Sequence, residues 1–584
     1  MALGPMISTP FRVFFVFSCL RVLAVTCALA AIFTGPLHAA DRPNIVLVTL
    51  ESVRADRVGV LGSKHLTPIL DALARQSIVF ENAYSQAPTT LASHATILTG
   101  AYPQTHGASE PGGSLAASIP YVPDLLRAKG YRTAAIVGSI LLDPRNGYAP
   151  GFDRGFGAYD TGFGRSQATG TNRVAFDRSA SQVIARAEMW LARNGKEPFF
   201  LWVHLNDANS RSGPAYDRAV TADDAGIGKL VSALRAKKLY ENSVIVVASD
   251  HGESLGEHGE NTHGIFLYDE TIHVPLLVKL AQNQLAAKRI KGRVRLVDVA
   301  PTLLEAAGLP VPSQMQGQSL IRVAKLTPDT DQAAYARSDF PKQAFGWSPL
   351  ESWRSGKYLY IRAPKPELYD LAADPKAAHS LAQSSKAITE TMASQLAAFD
   401  THFGGTKSSG NGLSSSEMEK LASLGYVGLQ KTPAAQAAVP GIDPKDTIGT
   451  ANETLTAMSV LQQGLSQKAI PVLRQVAAKD PDAYLPHYGL GVALAGQKSY
   501  KEAIEHLHKA IELRPDSGLA QYQMGISLLR TGDFKTSAVH LEIAAGRLPS
   551  FAAVHAALAE AYEHLGRKEE ASRERAKASQ AGPS

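Results

Sequence analysis

Short apolar runs alternate with helix-type patterns over the first half of the chain. The runs are rich in β-branched residues and span residues 43–50, 133–137, 198–204 and 244–248. Amphipathic patterns that are typical of helices lie between them, as at residues 66–77 and 222–237. Short continuous apolar runs predict buried parallel strands. Their alternation with helices predicts an α/β fold, with a mostly parallel central sheet and helices on both faces.

A smaller region and a linker are predicted after this sheet. Residues 337–429 indicate a small α+β subdomain. Residues 430–446 are rich in Ala and Pro, a composition that is typical of a linker between domains. We therefore expect a first domain over residues 41–429, a linker over residues 430–447 and a second domain over residues 448–584.

The second domain repeats with a period of 34 residues. Prolines, small residues and apolar residues each recur at fixed places, at Pro481, Pro515 and Pro549, at Gly491, Gly525 and Ala559, and at Leu490, Met524 and Leu558. Small residues let helices cross closely, and proline ends the second helix of each pair. The pattern resembles about four tetratricopeptide repeats, which implies an all-α solenoid whose groove binds a protein partner. The alternative, a plain helical bundle, is disfavoured by the regular period.

An apolar segment precedes the first predicted strand. It runs from Val13 to Phe33 and leads through small residues to Ala40, a pattern that is typical of a secretory signal peptide. The run is also long enough for a membrane anchor. Residues 1–40 therefore predict export to the periplasm or another extracytoplasmic space, and whether the segment is cleaved or retained as an anchor stays open.

The composition excludes cysteine chemistry outside the N-terminal segment. Both cysteines, Cys19 and Cys27, lie in the N-terminal segment, so residues 41–584 offer no disulfide, thiolate ligand or cysteine nucleophile. The formal net charge of +6 is small for 584 residues and gives no indication of nucleic-acid binding.

Metal-ligand residue types follow three of the predicted strands. Glu51 ends the first, His204 ends another, and Asp250 with His251 follows a third. Because the carboxyl ends of parallel strands meet at one edge of a sheet, we expect these groups to converge. Carboxylate oxygen and imidazole nitrogen bind divalent cations. Glu51, Asp250 and His251 are therefore candidate metal ligands, and His263 in the following Gly- and His-rich stretch is a candidate catalytic residue.

Thr90 is the candidate nucleophile. It stands at the start of a predicted helix, with Ser93 and His94 one turn further on. An aliphatic hydroxyl is protonated at neutral pH and therefore needs activation to act as a nucleophile. A metal ion with Thr90 as one of its ligands would lower the pKa of the hydroxyl, and the helix N-terminus would favour the negative charge that develops on it. The alternative is that Thr90 or Thr89 only caps the helix.

These blocks together resemble the sulfatase family of the alkaline-phosphatase-like superfamily, from residue 43 to about residue 380. The resemblance rests on the segments at residues 43–56, 88–107, 249–253, 268–277 and 367–375. It implies a metal-dependent hydrolase of small esters. By the same resemblance, His94 replaces the arginine that supports the nucleophile, and Asn209 stands near a histidine that assists the leaving group. Asn209 and Arg211 are the expected substrate-binding residues.

The residue at position 90 departs from the family pattern. Sulfatases carry Cys or Ser there, which becomes formylglycine, whereas threonine is no substrate for that conversion, so no formylglycine is expected. Threonine nucleophiles of the superfamily act on phosphate and phosphonate esters. The sequence therefore predicts hydrolysis of phosphate, phosphonate or sulfate esters through Thr90, with phosphoryl chemistry favoured.

The metal and the function each leave alternatives. Calcium is implied by the sulfatases, and zinc or manganese by the threonine relatives and by the imidazole ligand. The pair Glu51-Ser52, in place of two aspartates, favours a single metal. One alternative function is a catalytically degenerate domain whose tetratricopeptide repeats act as an assembly scaffold. Another is transfer of a phospho-group to an acceptor of the cell envelope.

Overall fold

A mixed sheet of nine strands lies at the centre of the first domain in the computed structural model. The structure describes residues 42–64, 67–109, 111–162, 177–209, 212–326, 331–403, 414–424 and 441–581. The strands of this sheet are β1 (Asn44–Leu50), β2 (Ile78–Tyr84), β3 (Arg132–Val137), β4 (Ala158–Asp160), β5 (Phe199–Leu205), β6 (Ser243–Ser249), β7 (His273–Lys279), β8 (Arg289–Ile290) and β9 (Val294–Arg295).

The strand order is β4-β3-β5-β1-β6-β7-β2-β8, and β9 also pairs with β2. The pairs are parallel except where β7 lies antiparallel to both β6 and β2. The prediction of a mostly parallel sheet is therefore confirmed. The four apolar runs predicted as strands correspond to β1, β3, β5 and β6.

Helices cover both faces of this sheet. Those of the first domain are α1 (Pro68–Ala74), α2 (Thr90–Thr99), α3 (Pro103–His106), α4 (Val122–Ala128), α5 (Ala180–Asn194), α6 (Gly213–Ala236), α7 (Asp269–Ile272), α8 (Val299–Ala306) and α9 (Leu320–Lys325). Alternate residues of β1 enter two separate cores, because successive side chains of a strand point to opposite faces. Ile45 and Leu47 pack on the side of α2, whereas Val46 and Val48 pack on the side of α5 and α6.

A small antiparallel sheet follows, in the order β10-β11-β12-β13. Its elements are β10 (Ala334–Ser338), α10 (Phe340–Phe345), β11 (Leu350–Ser355), β12 (Tyr358–Arg362), β13 (Glu367–Asp370) and α11 (Lys386–Phe403). This is the predicted α+β subdomain. The next described helix, α12 (Ser415–Ser423), packs on the C-terminal helices rather than on either sheet: Leu421 lies in their core, and Lys420 Nζ is 2.6 Å from Glu542 Oε2.

The C-terminal part of the described chain is a stack of helix pairs. The helices are α13 (Pro444–Gln462), α14 (Ser466–Lys479), α15 (Tyr484–Gly496), α16 (Tyr500–Leu513), α17 (Gly518–Thr531), α18 (Phe534–Arg547), α19 (Ala552–His564) and α20 (Lys568–Ala581). We call this stack the array. The helices α14, α16 and α18 end shortly before Pro481, Pro515 and Pro549, as the repeat predicted.

The array and the two sheets belong to one compact unit that spans Pro43–Ser584. One apolar cluster joins them: Ile265 and Trp347 of the first domain pack with Ala451 and Ala483 of the array. Helix α13 begins at Pro444, inside the stretch predicted as a linker. The predicted signal segment lies outside the described residues. Within the described part of the chain, no helix is both long and apolar enough to cross a membrane.

Candidate active site

The ends of three neighbouring strands bring the candidate residues together. Leu50 is in register with Ser249, so the next residues, Glu51 and Asp250, lie side by side at the carboxyl edge of the sheet. On the other side of β1, Thr49 is in register with His204. Glu51, His204, Asp250 and His251 are all fully buried.

Thr90 points at this edge from the first turn of α2. Its hydroxyl donates to Glu51 Oε1 over 2.5 Å, and the residue is 3 % exposed. Thr89 occupies the N-cap position without a side-chain capping bond. The Thr90 hydroxyl is thus engaged by a carboxylate, whereas a capping residue would accept from a backbone N–H. The geometry therefore favours the nucleophile interpretation over the helix-cap alternative.

Glu51 and Asp250 are carboxylates in opposite electrostatic situations. Burial by itself would raise the pKa of Glu51, but contacts to His204 and His251 outweigh it and hold that pKa well below its usual value. Burial, reinforced by the neighbouring charge of Glu51, raises the pKa of Asp250 well above its usual value. His251 Nε2 lies 3.3 Å from Glu51 Oε1 and 3.5 Å from Asp250 Oδ2. The two carboxylates therefore converge on one imidazole nitrogen.

His251 and His263 both turn Nδ1 toward an oxygen. His251 Nδ1 lies 2.8 Å from the carbonyl oxygen of Gly252, and His263 Nδ1 lies 3.1 Å from Glu253 Oε1. An oxygen acceptor at Nδ1 fixes the hydrogen there and leaves the Nε2 lone pair of a neutral ring available to a metal. The two rings are 4.4 Å apart. Glu51, His251 and His263 each place a ligand-type atom within 4.8 Å of the others.

A metal ion fits this cluster because several of its buried atoms are unpartnered. Among the described residues, no hydrogen-bond partner is found for the buried atoms Glu51 Oε2, Asp250 Oδ2, His204 Nε2 and His251 Nε2. Buried polar atoms are costly unless something binds them. The mixture of imidazole nitrogen and carboxylate oxygen suits a cation of the zinc or manganese class, whereas calcium prefers oxygen ligands alone.

Thr49 connects two further histidines beneath the cluster. Its Oγ1 lies 2.9 Å from Trp202 Nε1, 3.0 Å from His94 Nε2 and 3.1 Å from His204 Nδ1. His94 Nδ1 lies 2.8 Å from the carbonyl oxygen of Thr90, which can only accept. A neutral His94 therefore accepts from the Thr49 hydroxyl, and His204 donates to it. His204 Nε2 lies 3.0 Å from Glu51 Oε2, so a proton or a cation between these two atoms stabilises the pair.

His94 is a buried neutral ring in this arrangement. Burial and then the repulsion of His204 lower the pKa of His94 to about 3. A neutral imidazole carries no positive charge, so it does not supply the charge of the arginine expected at this place. What His94 does is join the backbone of Thr90 to Thr49.

The remaining candidates are placed less directly. Asn209 lies half-buried in the turn after β5, on the same edge of the sheet. Arg211 lies outside the described residues. The sequence analysis placed His204 among the groups that converge at this edge, because it ends an apolar run, but assigned it no ligand or catalytic role. Thr49 and Trp202 gave no such signal, because both lie inside the runs and read as ordinary strand residues.

Comparison with known proteins decides the family. Residues 43–309 match the sulfatase family model. The first domain is a sulfatase-family domain. Residues 256–402 of the sulfatase-family domain also match the C-terminal model of N-sulphoglucosamine sulphohydrolase. Residues 454–518 and 522–583 match the tetratricopeptide repeat, which confirms the reading of the array.

Individual relatives agree with this family. The chain is 26% identical over 389 residues to the ulvan-active sulfatase of Formosa agariphila, across 57% of this chain and 76% of that protein. It is 30% identical over 184 residues to arylsulfatase K of Rattus norvegicus, across 30% of this chain and only 32% of that protein. The phosphonate monoester hydrolase of Agrobacterium radiobacter has a similar fold, with a TM-score of 0.52 at 20% identity, across 62% of this chain and 96% of that one. The sulfatase-family domain is thus a hydrolase domain by family.

Proposed function

We propose that the sulfatase-family domain cleaves phosphate, phosphonate or sulfate esters with Thr90 as its nucleophile. The observation that carries the proposal is the 2.5 Å hydrogen bond from the Thr90 hydroxyl to Glu51 Oε1 at the buried edge of the sheet. This contact positions the Glu51 carboxylate to accept the hydroxyl proton. The start of α2 favours the negative charge that develops on Thr90.

The reaction runs through two displacements in this proposal. The Thr90 oxygen bonds to phosphorus or sulfur as its proton passes to Glu51, and the bond to the leaving oxygen breaks. That oxygen takes up a proton from solvent on the open side of the site, where His263 is 16% exposed. Water then gives its OH to phosphorus or sulfur and its other proton to solvent, and the Thr90 oxygen takes back the proton held by Glu51, which restores both groups. His94 and Asp250 keep Thr90 and His251 in place.

Glu51, Asp250, His251 and His263 would hold a divalent metal ion, with Thr90 beside it. When bound, such an ion neutralises charge on the ester oxygens and favours ionisation of a nearby hydroxyl. The imidazole nitrogens favour zinc or manganese over calcium. Glu51 turns Oε1 toward Thr90 and His251 and Oε2 toward His204.

Phosphate-type esters are the favoured substrates in this proposal. A sulfate ester of threonine lacks the route by which formylglycine releases sulfate, whereas a phosphothreonine is opened by water. The named sequence relatives are sulfatases, so the same site is to be tested against both kinds of ester.

Replacing Thr90 tests the proposal. We expect Thr90→Val, which keeps the shape and removes the hydroxyl, to lower kcat/KM by about 10³-fold or more, because the covalent step is lost. Thr90→Ser keeps the hydroxyl and serves as the matched control, with a loss of about 10-fold or less. The measurement is a panel of aryl phosphate mono- and diesters, phosphonates and sulfates with zinc, manganese or calcium.

Three results would count against parts of the proposal. Full activity of Thr90→Val would exclude Thr90 as nucleophile. Fastest turnover of the sulfate ester would overturn the preference for phosphoryl chemistry. A purified wild-type chain without stoichiometric metal and without ester turnover would instead support the degenerate scaffold.

We also propose that the protein is exported. The proposal rests on the apolar segment at residues 13–33 and on the lack of cysteine in residues 41–584. Cell fractionation, together with the intact mass of the purified chain, tests export and shows whether residues 1–40 are removed.

A further inference from the structure

The first helix of the array touches the loop that carries His263. Asn452, on α13, donates from Nδ2 to the carbonyl oxygen of Gly259 over 2.8 Å and accepts at Oδ1 from the N–H of Asn261 over 3.1 Å. A carbonyl can only accept and an N–H can only donate, so both ends of the amide are correctly matched. One turn earlier on α13, Ile448 packs against Gly259.

The backbone of this loop is held in conformations that need support. His258 has a φ of 52° in the left-handed region, where a non-glycine residue is disfavoured. Gly256, Gly259 and Gly264 also have positive φ, at 110°, 80° and 106°. Glycine adopts positive φ readily, whereas the left-handed conformation of His258 persists only where the surroundings enforce it. The two hydrogen bonds of Asn452, which lies outside the sulfatase-family domain, hold the backbone of this loop in place at Gly259 and Asn261.

Contacts within the loop connect its centre to the candidate metal-binding cluster of Glu51, His251 and His263. Ser254 N–H donates to the carbonyl of Thr262, and the Glu260 carboxylate accepts from the N–H of Ile265 over 2.8 Å and of Phe266 over 3.2 Å. His263 lies between these bonded positions. A displacement at Gly259 and Asn261 is therefore transmitted to the backbone of His263, and so to the ring that lies 4.4 Å from His251.

The rest of the array keeps α13 in place. Trp347 Nε1 donates to Asp480 Oδ2 over 3.0 Å, close to the start of α15. Further along, Leu548 and Phe551 pack against Gly147 of the sulfatase-family domain. Since several array helices dock on the same domain, Asn452 acts from a fixed platform.

We propose that the array is a structural part of the active site and that Asn452 is a positioning residue for His263. The inference rests on the proposed function in so far as His263 serves the metal cluster. The interaction surface is the N-terminal part of α13, and its partner is the loop of residues 256–264 in the same chain.

Asn452→Ala in the full-length chain tests the inference. Asp446→Ala is the matched control, because Asp446 lies on the same helix and forms an exposed ion pair to Lys365 of the neighbouring domain, at 2.7 Å. We expect Asn452→Ala to weaken zinc binding by about 10-fold, the scale for loss of a group that orients a ligand. Asp446→Ala is expected to stay within about 2-fold, because exposed ion pairs contribute little. Zinc affinity is measured by competition with a chromophoric chelator.

Hydrogen exchange of the backbone amides provides a readout that needs no metal. Residues 256–264 are expected to exchange faster in Asn452→Ala and at the wild-type rate in Asp446→Ala, with unchanged circular dichroism for both. Asn452→Asp retains the acceptor for Asn261 and should lie between wild type and Asn452→Ala. Unchanged exchange in Asn452→Ala would overturn the inference. A wild-type chain that binds no zinc would overturn the metal site of the proposed function and leave the exchange test of the loop intact.

Discussion

Thr49 sets the hydrogen-bonding pattern on which the buried histidines depend. One hydroxyl accepts from the Trp202 indole and joins His94 to His204. Because a hydroxyl has one hydrogen and two acceptor sites, these three partners use its full capacity. Thr49, one residue before the end of β1, therefore fixes the orientation of the His204 ring beside Glu51.

Thr49→Val is expected to lower the free energy of unfolding by about 3 kcal/mol or more. The substitution preserves the shape and removes the oxygen, which leaves the Trp202 N–H and two imidazole nitrogens without a partner in a fully buried place, at about 1–3 kcal/mol for an unsatisfied group. Thr49→Ser retains the hydroxyl and should cost less than half as much. Urea denaturation of both variants measures the difference, and equal stabilities for Val and Ser would refute the network.

The sequence predicted the convergence of those candidate residues that directly follow an apolar run. Glu51, Asp250 and His251 stand where a run ends, so their convergence follows from the rule for parallel strands. Thr49 has the same chemistry as any β-branched strand residue, and only the register that sets it beside His204 reveals its use. The chemical roles of all the candidate residues, Asn209, Arg211 and His94 included, stay predictions.

Repeating glycines explain how the helices of the array pack. A Cβ at Gly491 would lie 2.4 Å from Leu507 Cγ, and one at Gly525 would lie 2.5 Å from Leu541 Cγ. The spacing of 34 residues thus repeats a contact as well as a residue type. The predicted reason for the small residues, close crossing of paired helices, is confirmed at both positions.

Gly491→Ala is expected to destabilise the array although alanine is the better helix former. The added methyl group overlaps Leu507, and such overpacking costs about 1–3 kcal/mol, more than the roughly 1 kcal/mol gained in propensity. Gly449→Ala on α13 is the control. Apart from the backbone of its own helix, a Cβ added at Gly449 would have no atom of the described residues within 4 Å. We expect it to be stabilising by about 0.5–1 kcal/mol. Denaturant unfolding should therefore give shifts of opposite sign.

A second repeat in the array is visible only in the structure. His487, Gln521 and His555 each approach the carbonyl oxygen of the proline six residues earlier, at 3.2, 2.9 and 3.0 Å. Their other polar atom meets His506, His540 or Glu574 of the paired helix. The same two positions are bridged in each repeat, but the donor changes, since Gln521 Oε1 accepts from His540 whereas His555 Nδ1 donates to Glu574. A comparison of residue types at fixed spacing therefore does not find this contact.

Domain order followed from the sequence, whereas the docking of the domains did not. Composition changes and the repeat period separate the array from the sheet. Neither the composition nor the repeat period shows which surfaces of the two domains touch, because much of the contact is made of ordinary apolar residues such as Ile448 and Leu485. The array was predicted to present a groove to a protein partner, and part of its surface is used within the chain. Partner binding stays a proposal for the surface that remains free.

Unfolding of the chain is expected to be cooperative across both domains. The apolar cluster that contains Trp347 and Ala483 crosses the boundary, and Trp347 is buried, stacked on Phe345 and hydrogen-bonded to Asp480. We expect calorimetry to show one transition for the wild type. Under the proposed function a chelator shifts it to lower temperature, because a metal that binds the folded state stabilises that state.

Trp347→Ala should divide that transition into two, since it removes a large buried side chain, at about 3–5 kcal/mol, from the shared cluster. Trp353→Ala is the control. Trp353 lies in the same small sheet and donates to Gln395 of α11, away from the array. A single transition for both variants would show that the contact does not couple the domains.

Separated contacts hold the array on the sulfatase-family domain. Asn452 of α13 is bonded to the loop at Gly259, and Asp480, near the start of α15, accepts from Trp347. An array fixed at separated points behaves as a multivalent ligand of its own chain. While one contact is open, the others keep it at a high effective concentration, so rebinding is faster than escape. The array therefore undergoes brief local openings in preference to swinging free as a whole.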